Sequence, residues 1–95
     1  MQTTDNSAPG LLSEARDTLS QRAKLRDDEG EAERSMKATV DAFNAMYGTS
    51  LTEEQGWMFM VFLKAARARG GEVHRDDYVD GSAYFALAGE TALKD

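Results

Sequence analysis

The chain has no cysteine. That removes disulfides, thiol nucleophiles and cysteine-held metals, and it fits a reducing compartment. It has one histidine, His74, and a lone histidine is a poor metal signal. Its single proline, Pro9, sits beside Gly10 and punctuates a polar N-terminus that carries no apolar core of a secretory leader. The longest apolar run is seven residues, Trp57 to Leu63, too short to span a membrane. The expectation from these features is a cytoplasmic protein. No stretch alternates apolar and polar residues with a strand's period of two, and no internal repeat is visible. A phosphate-binding glycine loop, a dinucleotide fingerprint, H-E-x-x-H and a nucleophile elbow are all missing. Basic charge is scarce as well: 11 Lys and Arg stand against 17 Asp and Glu, for a net charge of -6. Duplex nucleic acid, which demands a dense basic footprint, is therefore disfavoured as a partner.

What the chain has is helical pattern. Ninety-five residues, 41 % of them hydrophobic, make one small domain that gains much by oligomerising. The expected organisation is a disordered tail over 1–10 and one helical domain over 11–95. The run W57-M-F-M-V-F-L63 belongs to a central helix ending near Arg69. A surface helix would interrupt such a run with polar residues. This helix should be covered on most sides, by other helices or by a second subunit. Its start is marked by Thr52 with Gln55 three residues later, and by Glu53 and Glu54 in the first turn. Gly70-Gly71 stops it.

Before it, a weaker helix begins near Leu11 or Ser13, with Leu12, Ala15 and Leu19 on one side. The acidic segment D27-D-E-G-E-A-E33 contains Gly30 and suits a helix start better than a helix end. A boundary is expected at Asp27–Gly30. The second helix then runs from about Glu31 to Tyr47, with Met36, Val40, Phe43 and Tyr47 on one face. Gly48 is placed to end it in the left-handed conformation. The last helix runs from Arg75–Asp77 to about Leu93, with Asp76 or Asp77 as its cap. The expectation is an all-α protein: a small antiparallel helical bundle of three main helices plus the weaker N-terminal one.

Chemistry could gather where the third helix meets the fourth. Asp77 and Asp80 lie one turn apart on the same side and could share a Mg²⁺, or could merely occupy a favourable first turn. Lys64 and Arg67 are also three apart. They could bind a phosphate, or pair with Asp77 and Asp80 in a structural network. His74 and Arg75 precede the last helix and could stand at the rim of such a site, or in a solvated loop. Glu29, Glu31 and Glu33 could reach the same centre. Trp57 and Phe59 could stack on a base, although a helical aromatic cluster more often forms core or interface.

The segments E33-R-S-M, F43-N-A-M-Y-G, L51-T-E-E-Q-G-W-M-F-M-V-F-L-K-A-A-R67 and H74-R-D-D-Y-V-D-G-S-A-Y84 resemble a family of small phage and prophage proteins that look MazG-like. The resemblance covers roughly Glu33 to Glu90. It implies an all-helical nucleoside triphosphate pyrophosphohydrolase scaffold that works as a dimer or larger oligomer. Asp77 and Asp80 would supply part of its Mg²⁺ site. The departure is in the central helix, which should carry the first acidic motif and has Lys64 and Arg67 instead, with no carboxylate after Glu54. Metal-assisted attack of water needs enough acidic ligands. The expectation is therefore a non-enzymatic, cofactor-free homodimer that binds and modulates a host protein. The alternative is a nucleotide binder or Mg²⁺-dependent pyrophosphohydrolase using Lys64, Arg67, His74, Arg75, Asp77 and Asp80.

Overall fold

A computed structural model describes residues 4–26 and 35–94 of the chain. Four helices account for most of them: α1 (Ala8–Arg26), α2 (Ser35–Tyr47), α3 (Glu53–Arg69) and α4 (Arg75–Leu93). No strand occurs among the described residues, so the fold is all-α. The expected boundary at Asp27–Gly30 and the start of the second helix at Glu31 lie outside the described residues.

The first helix is longer than the sequence pattern suggests. It opens at Ala8 and runs 19 residues, as long as α4. Ser7 caps it: its hydroxyl accepts from the Gly10 N–H at 3.1 Å, the arrangement that satisfies a first-turn donor. Pro9 falls inside the first turn, where its missing N–H costs nothing. Asp5 in turn accepts from the hydroxyl of Ser7 at 2.6 Å and from its N–H at 2.9 Å. These bonds, that from the hydroxyl first, lower the carboxyl's pKa below its ordinary value. The N-terminal residues from Asp5 onward are thus held, and the helix is not a weak appendage.

Local signals set the α2–α3 junction. Gly48 takes φ 65° directly after α2 and its N–H bonds to the Asn44 carbonyl at 2.8 Å, closing the helix as a left-handed glycine does. The Asn44 side chain then organises the loop from both ends of its amide. It donates to the Leu51 carbonyl at 2.9 Å and accepts from the Leu51 N–H at 2.9 Å. Thr52 and Gln55 form the expected capping box, at 3.1 Å and 2.9 Å. By contrast α4 is preceded by His74, which makes no side-chain cap bond. Asp76 and Asp77 lie inside its first turn instead of capping it.

The helices pack in the order α1–α4–α3–α2. α3 and α4 are antiparallel, since Trp57 stacks on Tyr84 near one end and Lys64 meets Asp77 and Asp80 toward the other. α1 departs from the antiparallel expectation. It starts at the same end as α4, because Arg75 binds the Asn6 side chain, the Asp5 carbonyl and the Glu14 carboxylate. Two apolar clusters hold the row. One joins Met36 and Val40 of α2, Trp57 of α3, and Leu87 and Ala88 of α4. The other joins Ala15 of α1 to Val79 and Ala83 of α4, and Leu19 packs against both. The array is open: its radius of gyration is 14.8 Å, against about 12.4 Å for a compact chain of this length.

Gly56 marks the closest approach of α3 to α2. A β-carbon there would lie 2.4 Å from the Met36 sulfur and 2.8 Å from a Val40 methyl. Met36 can swing aside, but the branched Val40 side chain has little freedom. Two forces oppose each other in Gly56→Ala: alanine favours helix by about 1 kcal/mol, and overpacking costs about 1–3 kcal/mol. Overpacking wins at this site. Gly89 has no atom within 4 Å of a β-carbon, so only the propensity gain applies. Denaturant unfolding should show Gly56→Ala destabilised by up to about 2 kcal/mol and Gly89→Ala stabilised by about 0.5–1 kcal/mol.

Candidate functional site

Five of the six residues singled out in the sequence line one cleft. Lys64, Arg67, His74, Asp77 and Asp80 surround a space of about 520 Å³, open along one side, together with Ala66, Gly70 and Asp76. Helical geometry explains the meeting. On α3, Trp57, Val61, Lys64 and Ala68 share the face turned toward α4. On α4, Asp77, Asp80, Tyr84 and Leu87 share the face turned back. The 70–74 loop between the two helices closes one end of the cleft.

The sixth residue goes elsewhere. Arg75 follows His74 by one position, but its guanidinium is taken up by Asn6, Asp5 and Glu14 on the α1 side. Its role is to fix the starts of α1 and α4 to each other. Trp57 is also withdrawn from any ligand role: it is 4 % exposed, with its ring 5.9 Å from that of Tyr84 and nearly parallel to it. Phe59 is 69 % exposed and lies on the opposite face of α3. Glu29, Glu31 and Glu33 lie outside the described residues.

Lys64 dominates the cleft's electrostatics. Its ammonium is 3.1 Å from an Asp80 oxygen and 4.0 Å from an Asp77 oxygen. The lysine side chain is 14 % exposed and that of Asp77 only 7 %. A buried carboxylate is costly unless it is paired, and the lysine provides the pairing. The α4 N-terminus adds favourable partial charge around Asp77 in the first turn. Arg67 and His74 stand exposed at the rim, and neither makes an ion pair among the described residues. In all, two cationic side chains face three carboxylates.

A Mg²⁺ centre does not fit this arrangement. No group of three or more His, Cys, Asp or Glu side chains clusters as a metal site among the described residues. The Asp77–Asp80 pair that could begin such a site already encloses an ammonium group. Adding a divalent ion there would place three positive charges against two negative ones.

The sequence pointed to an apolar surplus on α3 without assigning the residues of its outer face. Phe59 and Phe62 are 69 % and 64 % exposed, and Leu63 is 39 % exposed. With Ala66 they follow i, i+3, i+4, i+7 spacing, which makes one apolar stripe. The run Trp57–Leu63 is therefore two stripes laid on one helix. The inner stripe meets α4 and α2, and no described element of this chain covers the outer one. Splitting the run by 100° per residue assigns these residues to it. Asn44 was missed, because an asparagine that ties a loop gives no periodic signal.

The ion network can be separated from its packing. Lys64→Met keeps the stem and removes the charge, leaving Asp77 buried beside Asp80. We expect a loss of about 3 kcal/mol in unfolding free energy. Adding Asp77→Asn should restore part of it, with a coupling of about 1 kcal/mol or more in the double-mutant cycle. Additive effects would show that the lysine acts through its stem alone.

No curated protein and no solved structure matches the chain. One family does: its sequence profile spans residues 10–92, which takes in all of α2 and α3, the cleft, and nearly all of α1 and α4. The chain belongs to that family, described as Domain of unknown function (DUF6378).

Proposed function

We propose that this protein is a non-enzymatic, homodimeric helical module that acts by binding and modulating another protein. The outer stripe of α3 carries the reading. Phe59, Phe62, Leu63 and Ala66 make a helical seam without a charged residue, and covering a large apolar side chain yields about 1.5–3 kcal/mol. A second copy offers the same seam in two-fold register, which is the simplest closed arrangement for such a surface. The partner protein takes a different face. On α4, Tyr78 and Phe85 are 47 % and 59 % exposed, lie seven residues apart, and point away from the faces that meet α1 and α3. The MazG-like resemblance supports a scaffold of this kind, and its phage-type character supports a host protein as the target in the cytoplasm. No helix is long and apolar enough to cross a membrane among the described residues.

A second reading is favoured by the cleft. Lys64, Arg67 and His74 converge there at the size of a small ligand, and a MazG-like scaffold suggests a nucleotide. Binding is the supported form of this reading. Pyrophosphohydrolysis would call for carboxylates beyond the pair that Lys64 already holds. Three carboxylates also oppose a polyphosphate, so Arg67 and His74 would make the first contacts.

Photo-crosslinking separates the two surfaces. A benzophenone side chain at position 59 should give self-adducts, and Phe62→Glu should convert a sedimenting dimer into a folded monomer. The same probe at position 85 should give adducts to one host protein, lost in a Tyr78→Glu background and reproduced with that protein purified. A monomeric wild type, or a position-85 probe that captures nothing reproducible, would overturn the corresponding half of the reading. Calorimetry with nucleotides, with and without Mg²⁺, tests the second reading. Heat lost in Arg67→Ala supports it, and no heat rejects it for the nucleotides tried.

A further inference from the structure

Charge is unevenly spread along this chain. Charged residues make up 29 % of it, yet between Asp41 and Lys64 only Glu53 and Glu54 are charged. The outer stripe of α3 lies inside that segment, and so does the end of α2. Met36 and Val40 both close on Gly56, so α2 crosses α3 near its start. Phe43 and Tyr47 continue the same face of α2 past the crossing and stand exposed, with Met46 and Leu51 exposed beside them. The nearest charges of α2 are turned aside, where Lys37 pairs with Asp41 at 3.1 Å. The loop that follows is held in shape. Asn44 bonds the N–H and the carbonyl of Leu51, and accepts from the Thr49 hydroxyl at 2.7 Å. The end of α2 is thus a preformed, uncharged apolar surface.

Area decides what covers it. With roughly 200 Å² for a whole aromatic side chain, Phe59, Phe62 and Leu63 offer about 350 Å². A stable interface takes roughly 800 Å² from each partner, so the stripe alone is too small. Adding the end of α2, Leu51, and Val73 of the 70–74 loop, which is 78 % exposed, brings the surface to about 900 Å². One two-fold axis joins these pieces. Crossing α3 between Phe62 and Leu63, it runs the two copies of α3 antiparallel. Phe62 then faces the partner's Leu63, and Phe59 faces the partner's Ala66, large against small. Carried past the helix ends, this register brings Leu51 and Tyr47 of one copy to the partner's Val73. Resting on the dimer proposed above, we infer that the end of α2 in each copy is a socket for the 70–74 loop of the other, with Val73 as the inserted side chain. Two chains of net charge -6 repel each other, and this segment is where they approach without bringing like charges together.

Because the full chain has no cysteine, engineered disulfides report the register without background. Under mild oxidation, Leu51→Cys mixed with a tagged Val73→Cys should give the mixed disulfide dimer. Neither variant alone should link to itself, since its two copies stand about 30 Å apart across the axis at 1.5 Å per helical residue. Phe62→Cys alone should link to itself. Tyr47→Glu should keep its helicity and raise the dimer's dissociation constant about tenfold or more, and Met46→Glu is the second probe should that variant unfold. A dimer broken by Phe62→Glu but indifferent to both α2 variants, with no mixed disulfide, would overturn the socket and leave the dimer standing. Self-linkage of Val73→Cys would do the same. A monomeric wild type would overturn both. Binding to phosphatidylcholine vesicles that Tyr47→Glu abolishes, with no mixed disulfide, would assign the surface to lipid and overturn the inference.

Discussion

The antiparallel contact of α3 with α4 is the constraint on which the other elements depend. It is pinned at two places of different chemistry. Toward the start of α3, the Trp57 and Tyr84 rings stack inside the main apolar cluster. Further along α3, the Lys64 ammonium sits against Asp77 and Asp80. The apolar pin supplies area and the ionic pin supplies register, because sliding α4 by one turn would strand a buried carboxylate. α2 then lies on α3 at Gly56, and α1 lies on α4 through Ala15, Val79 and Ala83.

That arrangement explains why the α3–α4 cleft is polar while the far side of α3 is apolar. The polar groups of α3 and α4 are spent on each other, where they fix the helix pair. The large side chains that a compact fold would bury are left on the far side of α3 and along α4. A chain this size has too few helices to surround a helix that is apolar on two faces. In the proposed reading, a second copy of the chain covers the outer stripe of α3.

Much of this was legible in the residues. Thr52 with Gln55, Gly48 after Tyr47, and Gly70-Gly71 after Arg69 are local signals, so the limits of α3 and the end of α2 followed from them. The meeting of Lys64 and Arg67 with Asp77 and Asp80 followed from a short turn between two helices. Features that depend on distant partners did not follow. Nothing local to Arg75 distinguishes a guanidinium that grips Asn6 and Glu14, 69 and 61 positions away, from one that rims a cleft. Phe43 and Tyr47 share a face with Met36 and Val40, yet only the latter two are buried. Their rings instead lie 4.8 Å apart on each other. Periodicity shows which residues share a face; how far along that face a neighbour reaches is decided by crossing geometry. The start of α1 was missed for a simpler reason: Asp5, Ser7 and Pro9 read as a tail until their bonds show a cap.

The order of the row has a kinetic consequence. α3 and α4 are joined by a five-residue turn (70–74), so their contact closes a small loop and can form early. α1 reaches its place only by joining Arg75 to Glu14 across most of the chain, and loop-closure entropy delays such contacts until something rewards them. The α3–α4 hairpin is thus the natural nucleus, and α1 docks onto a surface that already exists. Until it does, the Val79 and Ala83 side of α4 stands open beside the outer stripe of α3. For a newly made chain that interval is when mispairing with other chains is most probable, and the grip of Arg75 on α1 ends it.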